Sequence, residues 1–366
     1  MNDLRDIVKA LSIPEILGYG NGKITRSADF EAKRDGLITL IENYMYGKMP
    51  KKPKHLKIEL ISEDRGFAAG RAPLSKYVAH AECEDGEVSF PFYAAIPKSS
   101  EKKPPVIIHL NFTDNIPDKF QPTEELTDKG FAVFTLCYED VTKNNGDFRS
   151  GNARVLLRSR RAGNATGKIA MWAWALMRIV DYVYSTDSLD TNNIAVAGLG
   201  VLGKAALLAS AYDERIKYTC ANGAGVAGDA IIRGGSGECF RDLLYEAPFW
   251  FCPKFADFAS NAYNLPFDQH FLLSLIAPRR IIILTAENDV WSDPKAQLLS
   301  LRLAAEVYEL YGLSALPSAE DHKGGVTELR AHCLFRSREN LSYFTRDDWQ
   351  VLTDFMAETS TKRKVF

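Results

Sequence analysis

Ile194-Ala195-Val196-Ala197-Gly198-Leu199-Gly200-Val201-Leu202-Gly203-Lys204 decides how this chain is read. A short apolar run reads as a buried strand, three glycines crowd a turn, and an apolar helix opens after it. Two kinds of site put glycines in such a place. In a dinucleotide-binding G-x-G-x-x-G they admit a pyrophosphate to the helix N-terminus. In a nucleophile elbow they let a strand turn sharply into a helix and lift one residue above the carboxyl edge of the sheet. The dinucleotide reading wants the turn early in its βα unit, with an acid about twenty residues on for the ribose. Here several β-elements come first, and the next strand ends Cys220-Ala221-Asn222-Gly223 without an acid. The elbow fits better and puts Gly200 at the raised position. A nucleotide site at the Gly198 turn remains the alternative.

Outward from the turn, the chain alternates strands with helices. Residues 104–112 and 130–138 are compact apolar runs, and 217–220 and 278–286 continue the series. Helical spacing appears at 120–129, 169–184, 294–311 and 346–358, and the elbow helix runs through Leu207 and Leu208. That alternation predicts an α/β protein with a mostly parallel sheet covered by helices on both faces. Residues 55–62, 76–81 and 88–96, with Glu84-Asp85-Gly86 as a turn, predict an N-terminal antiparallel extension. Apolar positions at Leu37, Leu40, Ile41 and Tyr44 make 33–47 a helix within a helical N-terminal segment of about residues 1–50. No repeat, linker or composition break divides residues 1–366, so one domain is expected.

Charge narrows the partners. With 45 basic and 47 acidic side chains the formal charge is -2, so no global field recruits nucleic acid or a membrane. The start of the sequence carries no apolar leader, which predicts a cytoplasmic protein. The six cysteines form no C-x-x-C pair, and His55, His80, His109 and His322 have no metal-ligand spacing, so neither a metal nor a cofactor is expected. The oligomeric state is not legible. Arg149, Arg154, Arg158, Arg160 and Arg161 cluster in a polar stretch that reads as a solvated loop or short helix, with an anion-binding patch as the sharper alternative.

The elbow and the segments around it resemble the glucuronoyl esterase family of carbohydrate esterases, which have an α/β-hydrolase fold. The family's G-x-S-R-x-G-K is matched by Gly198-Leu199-Gly200-Val201-Leu202-Gly203-Lys204. Leu110-Asn111-Phe112, Trp172-Ala173-Trp174, Pro248-Phe249-Trp250-Phe251-Cys252-Pro253, Asp268-Gln269-His270, Ala277-Pro278-Arg279, Ala286 through Pro294 and Asp348-Trp349 match in order, so the likeness spans about residues 30–356.

The resemblance implies which catalytic parts are present. An esterase of this fold needs a nucleophile, a base, an acid to orient the base, and donors for the oxyanion. Gly200 stands at the serine position and Val201 at that of the arginine that steadies the oxyanion. Counting back from Trp349 along the family's R-x-G-K-H-x-L-T-x-x-D-W puts Ser342 at the histidine position. One family acid position falls on Gly223; the other, after the 278–286 strand, survives as Asp289. Lys204, Glu238, Gln269 and Trp291 match positions on the sugar-binding side. The expectation is therefore a non-catalytic relative that binds a polar, uronate-like small molecule. An alternative is an active hydrolase with a rebuilt site. There His332, whose His332-Cys333-Leu334-Phe335 resembles the H-C-x-F of fungal members, would act as base with Asp289.

Overall fold

The computed structural model describes residues 4–20, 22–98, 102–313 and 332–362. One nine-stranded sheet organises them, in the order β1-β2-β3-β5-β4-β6-β7-β8-β9. Three long strands, β1 (His55–Asp64), β2 (Leu74–Cys83) and β3 (Gly86–Ala95), pair antiparallel, β2 and β3 through a tight turn and β1 and β2 through a loop with a 3-10 turn at Phe67–Gly70, and β3 meets β5 antiparallel as well. From there β5 (Ala132–Cys137), β4 (Pro105–Asn111), β6 (Asp190–Leu199), β7 (Tyr218–Asn222), β8 (Arg280–Ala286) and β9 (Cys333–Arg338) all run parallel.

The apolar runs become strands buried on both sides, because alternate residues point to opposite faces of a sheet. Val106, Ile108, Val196, Ile281 and Ile283 belong to one core, while Ile107, Ala195, Ala197, Ile282 and Leu284 belong to another. The first core packs under the helices Lys168–Tyr184, Val201–Tyr212 and Pro294–Leu310. The second packs under Thr123–Asp128 and the first turns of Arg346–Lys362, through Leu126, Trp349, Leu352 and Phe355. This is the α/β-hydrolase layering, with the N-terminal strands extending one edge.

Several boundaries differ from the expectation. The helix expected over 120–129 starts only at Thr123, because Gln121 is held in a bridge with Asp118 and Pro122 stands at the cap. The N-terminal helix over 33–47 is Arg34–Ile41 followed by a wider π-type turn, Glu42–Tyr46. The arginine-rich stretch holds one short helix, Gly151–Leu156. β9 was not expected as a strand. It finds its place only by pairing with β8, Ile281 opposite Cys333 through Ala286 opposite Arg338.

The topology fixes where a site belongs. From β4 the chain steps to β5 on one side, then returns to β6 on β4's other side. The carboxyl ends of β4 and β6 therefore flank a switch point, where open α/β sheets bind their ligands. The turn at Gly200 leaves β6 at that place. No helix among the described residues is long and apolar enough to cross a membrane.

Candidate active site

The turn keeps the geometry of an elbow. Gly200 sits at φ 57° and ψ -124°, a region that a side chain occupies only under strain. Its N–H donates to Asn222 O at 2.9 Å, and its carbonyl accepts from Lys204 N at 3.2 Å. The three glycines are needed for different reasons. A Cβ on Gly198 would lie 2.3 Å from Leu202 O, and one on Gly203 would lie 3.1 Å from Gly198 O and 3.2 Å from Ala224 Cβ. Both let the helix start pack directly against β6 and β7. A Cβ on Gly200 would meet nothing within 4 Å. The raised position thus opens onto free space, while the backbone of Gly198 is closed off by its own helix. Helix packing accounts for the G-x-G-x-x-G spacing without a pyrophosphate.

The expected acid and base positions gather beside it. Ser292 Oγ donates to Asp289 Oδ2 at 2.7 Å and lies 3.1 Å from Gly223 O, and Ser292 N donates to Asp289 Oδ1 at 3.2 Å. Gly223 follows Asn222, whose carbonyl holds Gly200. A Cβ built on Gly223, at φ 55°, would lie 2.8 Å from both Cβ and Oγ of Ser342. The segment carrying Ser342 is pinned by Asn222 Nδ2, which donates to Tyr343 O at 3.0 Å. Ser342 Oγ is buried without a hydrogen-bond partner among the described residues. Gly200, Gly223, Asp289 and Ser342 therefore form one contiguous group at the carboxyl edge. The contact between Gly223 and Ser342 leaves no room for a carboxylate at the first of the two acid positions.

A polar wall rises on the other side. One turn below Gly200, the buried Lys204 donates from Nζ to Ala224 O at 2.6 Å and stands 3.9 Å from Glu238 Oε2. Burial lowers the Lys204 pKa, against the opposing pull of Glu238, Asp229 and Asp289. Burial raises the Glu238 pKa, with Lys204 working the other way. Glu238 N donates to Trp291 O at 3.1 Å, and the Trp291 side lies 58% exposed beside it. Gln269 is fully buried, its Nε2 donating weakly to Met45 Sδ at 3.6 Å, with Oε1 unpartnered among the described residues.

Behind Lys204 lies a carboxyl that sequence reading did not single out. Asp229 is fully buried, and desolvation pushes its pKa up to about 7. Gln297 Nε2 donates to Asp229 Oδ1 at 2.9 Å, while Asp229 Oδ2 and Gln297 Oε1 both lack partners among the described residues. Burial of a carboxylate oxygen without a donor disfavours the charged form, which is why the pKa is raised. Tyr46 closes the layer below, donating to Ala227 O at 2.6 Å.

With this geometry in view, the profile described as "Glucuronyl esterase, fungi" matches residues 80–312. The chain belongs to the glucuronyl esterase family. A carbohydrate esterase from an unknown prokaryotic organism is 28% identical over 391 aligned residues, covering 95% of this chain and 89% of the relative. A promiscuous CE15 esterase from a marine bacterial metagenome superposes with a TM-score of 0.84 at 25% identity, covering 94% and 96%. A glucuronoyl esterase mutant from Sporotrichum thermophile, solved with methyl 4-O-methyl-β-D-glucopyranuronate, has the same fold, with a TM-score of 0.70 at 20% identity, covering 94% and 86%.

Not every expected residue reaches the elbow of this glucuronyl esterase family member. His332 lies just before β9, and its carbonyl accepts from Ile281 N at 3.0 Å. The register puts it level with Arg280, Tyr218 and Ala195, at the amino end of the sheet. Gly200 is five residues beyond Ala195, about 16 Å along the strands at ~3.3 Å per residue, and three strands away. The rebuilt site with His332 as base is therefore corrected: only the far end of that segment, around Ser342, reaches the elbow. Two of the five clustered arginines, Arg158 and Arg160, are engaged by neighbouring residues. Arg158 pairs with Glu84 at 2.7 Å, Arg160 lies 3.6 Å from Asp85, and Arg160 also donates to Arg154 O at 2.8 Å. All six cysteines are free, and no group of three or more His, Cys, Asp or Glu among the described residues could hold a metal.

Ser292 and Asp229 were missed for different reasons. Ser292 sits three residues after Asp289 and just before the Asp293-Pro294 helix start, a capping pattern that marks a turn but not a partner. Asp229 has no sequence signal, because its partner Gln297 is 68 residues away.

Proposed function

We propose that this glucuronoyl-esterase-like hydrolase binds a uronate-like small molecule in the space over Gly200 without forming an acyl intermediate. The observation that carries this reading is the elbow itself. Gly200 holds the backbone angles that present a nucleophile, and its outward side is open, yet glycine offers no atom to attack with. Ser342, at the expected base position, is a poor proton acceptor near neutral pH. Asp289 is held by Ser292 and serves as a hydrogen-bond acceptor within the turn. Lys204, Glu238 and the exposed face of Trp291 supply donors, acceptors and an aromatic plane for a ring carrying hydroxyls. The relative solved with a methyl glucuronate supports the ligand class.

The test is direct. The purified protein should hydrolyse methyl glucuronate and simple acetyl esters at the rate of a heat-denatured control, and serine-directed phosphonates should leave it unlabelled. Gly200→Ser alone should recover little, because Ser342 supplies no base. Gly200→Ser, Val201→Arg and Ser342→His together should bring back measurable turnover, with Asp289 as the acid. Steady turnover by the unmodified protein, lost in Asp289→Asn, would overturn the reading in favour of water activated by the carboxylate.

A further inference from the structure

The charges that line the candidate site are unbalanced. Lys204 is surrounded by Glu238, Asp229 and Asp289, and Glu238 in turn feels Glu246 and Asp242 as well as Asp289. Asp242 is offset by Arg241 beside it, and Asp229, whose Oδ1 accepts from Gln297 Nε2 at 2.9 Å, has its pKa raised to about 7 by burial and so carries only part of a charge near neutral pH. That leaves Glu238 and Asp289, with part of the Asp229 charge, against one ammonium. The ammonium is itself engaged, by Ala224 O at 2.6 Å and by Glu238 Oε2 at 3.9 Å, and it is buried. Val201, next to Gly200 in the chain, and Ser342, packed against Gly223, carry no charge.

Resting on the binding reading above, we infer that this pocket selects by charge, holding the neutral ester of a uronate and rejecting the free uronate. A carboxylate entering beside Glu238 and Asp289 meets like charges in a partly desolvated wall, where repulsion is poorly screened. A neutral ester brings no charge, and its ring hydroxyls donate to the same carboxylates. The face of Trp291 and the hydroxyl-accepting wall treat ester and acid alike, so the difference between the two ligands is electrostatic. The site then holds an esterified sugar and excludes the free acid.

Calorimetry on the full chain with methyl glucuronate and sodium glucuronate near neutral pH tests this. Methyl glucuronate should bind at least about tenfold more tightly, and the gap should narrow as salt is raised to about 0.5 M. Glu238→Gln should strengthen glucuronate binding more than ester binding, which a merely structural role for Glu238 would not do. Equal or tighter binding of glucuronate, or a Glu238→Gln change that weakens both ligands alike, overturns the charge selection and leaves the binding reading standing. Binding of neither probe overturns the binding reading and the selection with it.

Discussion

At the scale of single residues, the elbow separates two reasons for glycine. Gly198 is glycine because a Cβ would strike Leu202 O at 2.3 Å, a backbone atom that cannot move aside without unseating the helix start. Gly200 is glycine only by conformation, since nothing lies within 4 Å of the Cβ it lacks. Urea unfolding should therefore rank two alanine variants far apart. Gly200→Ala should cost about 1–3 kcal/mol, the strain of a side chain at that φ. Gly198→Ala should cost more than about 4 kcal/mol or give no folded protein, since such losses come from overpacking that cannot relax. Equal losses would mean that the space over Gly200 is not open. The same contrast separates the three positions: a side chain at Gly200 meets only local strain, whereas the two packing glycines are held by the helix start.

At the scale of elements, the segment between β9 and the last helix is docked rather than free. His109 of β4 is gripped edge-on by Phe344 and Trp349, at 5.3 and 5.1 Å between ring centres, and its Nδ1 lies 2.6 Å from Gln121 Oε1. Trp349 Nε1 donates to Phe120 O at 2.7 Å, and Asp348 accepts from Thr345 N at 2.8 Å. These contacts press Ser342 onto Gly223. A double-mutant cycle reads that contact. Gly223→Ala should destabilise through both its positive φ and the 2.8 Å clash with Ser342. Ser342→Gly removes the clash but not the φ strain. The pair should therefore show a coupling of roughly 1 kcal/mol or more, as contacting residues do. Strict additivity would show that the segment yields and that the two positions are independent.

At the scale of the whole molecule, buried titratable groups set how stability follows pH. Desolvation lowers the pKa of His109 to about 4 and that of His270 to about 3. Both are neutral when folded and protonate near pH ~6.5 when unfolded. Their contribution is therefore full above that pH and is lost as pH falls toward their folded values. Asp229 acts in the opposite sense. Its folded pKa, raised to about 7, lies above an unfolded value near ~3.9. Its contribution is full below the unfolded value and is lost as pH rises through about 7. Asp229→Asn imitates the neutral acid and can still face Gln297. Relative to the unmodified protein, this variant should gain stability steadily from pH ~4 to ~7 and stay level above that. Urea midpoints across that range check the sign, and a difference that does not change with pH would mean that Asp229 is ionised in the folded protein.

The sequence by itself determined the kinds of element and the place of the turn. Apolar runs buried on both faces, helical spacing and three crowded glycines are local patterns, and each is satisfied within about fifteen residues. Counting along matching segments also brought Asp289 and Ser342 to the elbow, where the sheet edge gathers them. Only the tertiary structure decided which side chains touch. His332 fell at the wrong end of the sheet because one register, Ile281 opposite Cys333, sets the level of every residue in β9. Gln269 turned out fully buried with its amide against Met45, and Asp229 found Gln297 across 68 positions. Periodicity encodes which face of an element is buried. Register and packing, which join distant stretches of chain, decide which neighbour a charge or a hydroxyl meets there.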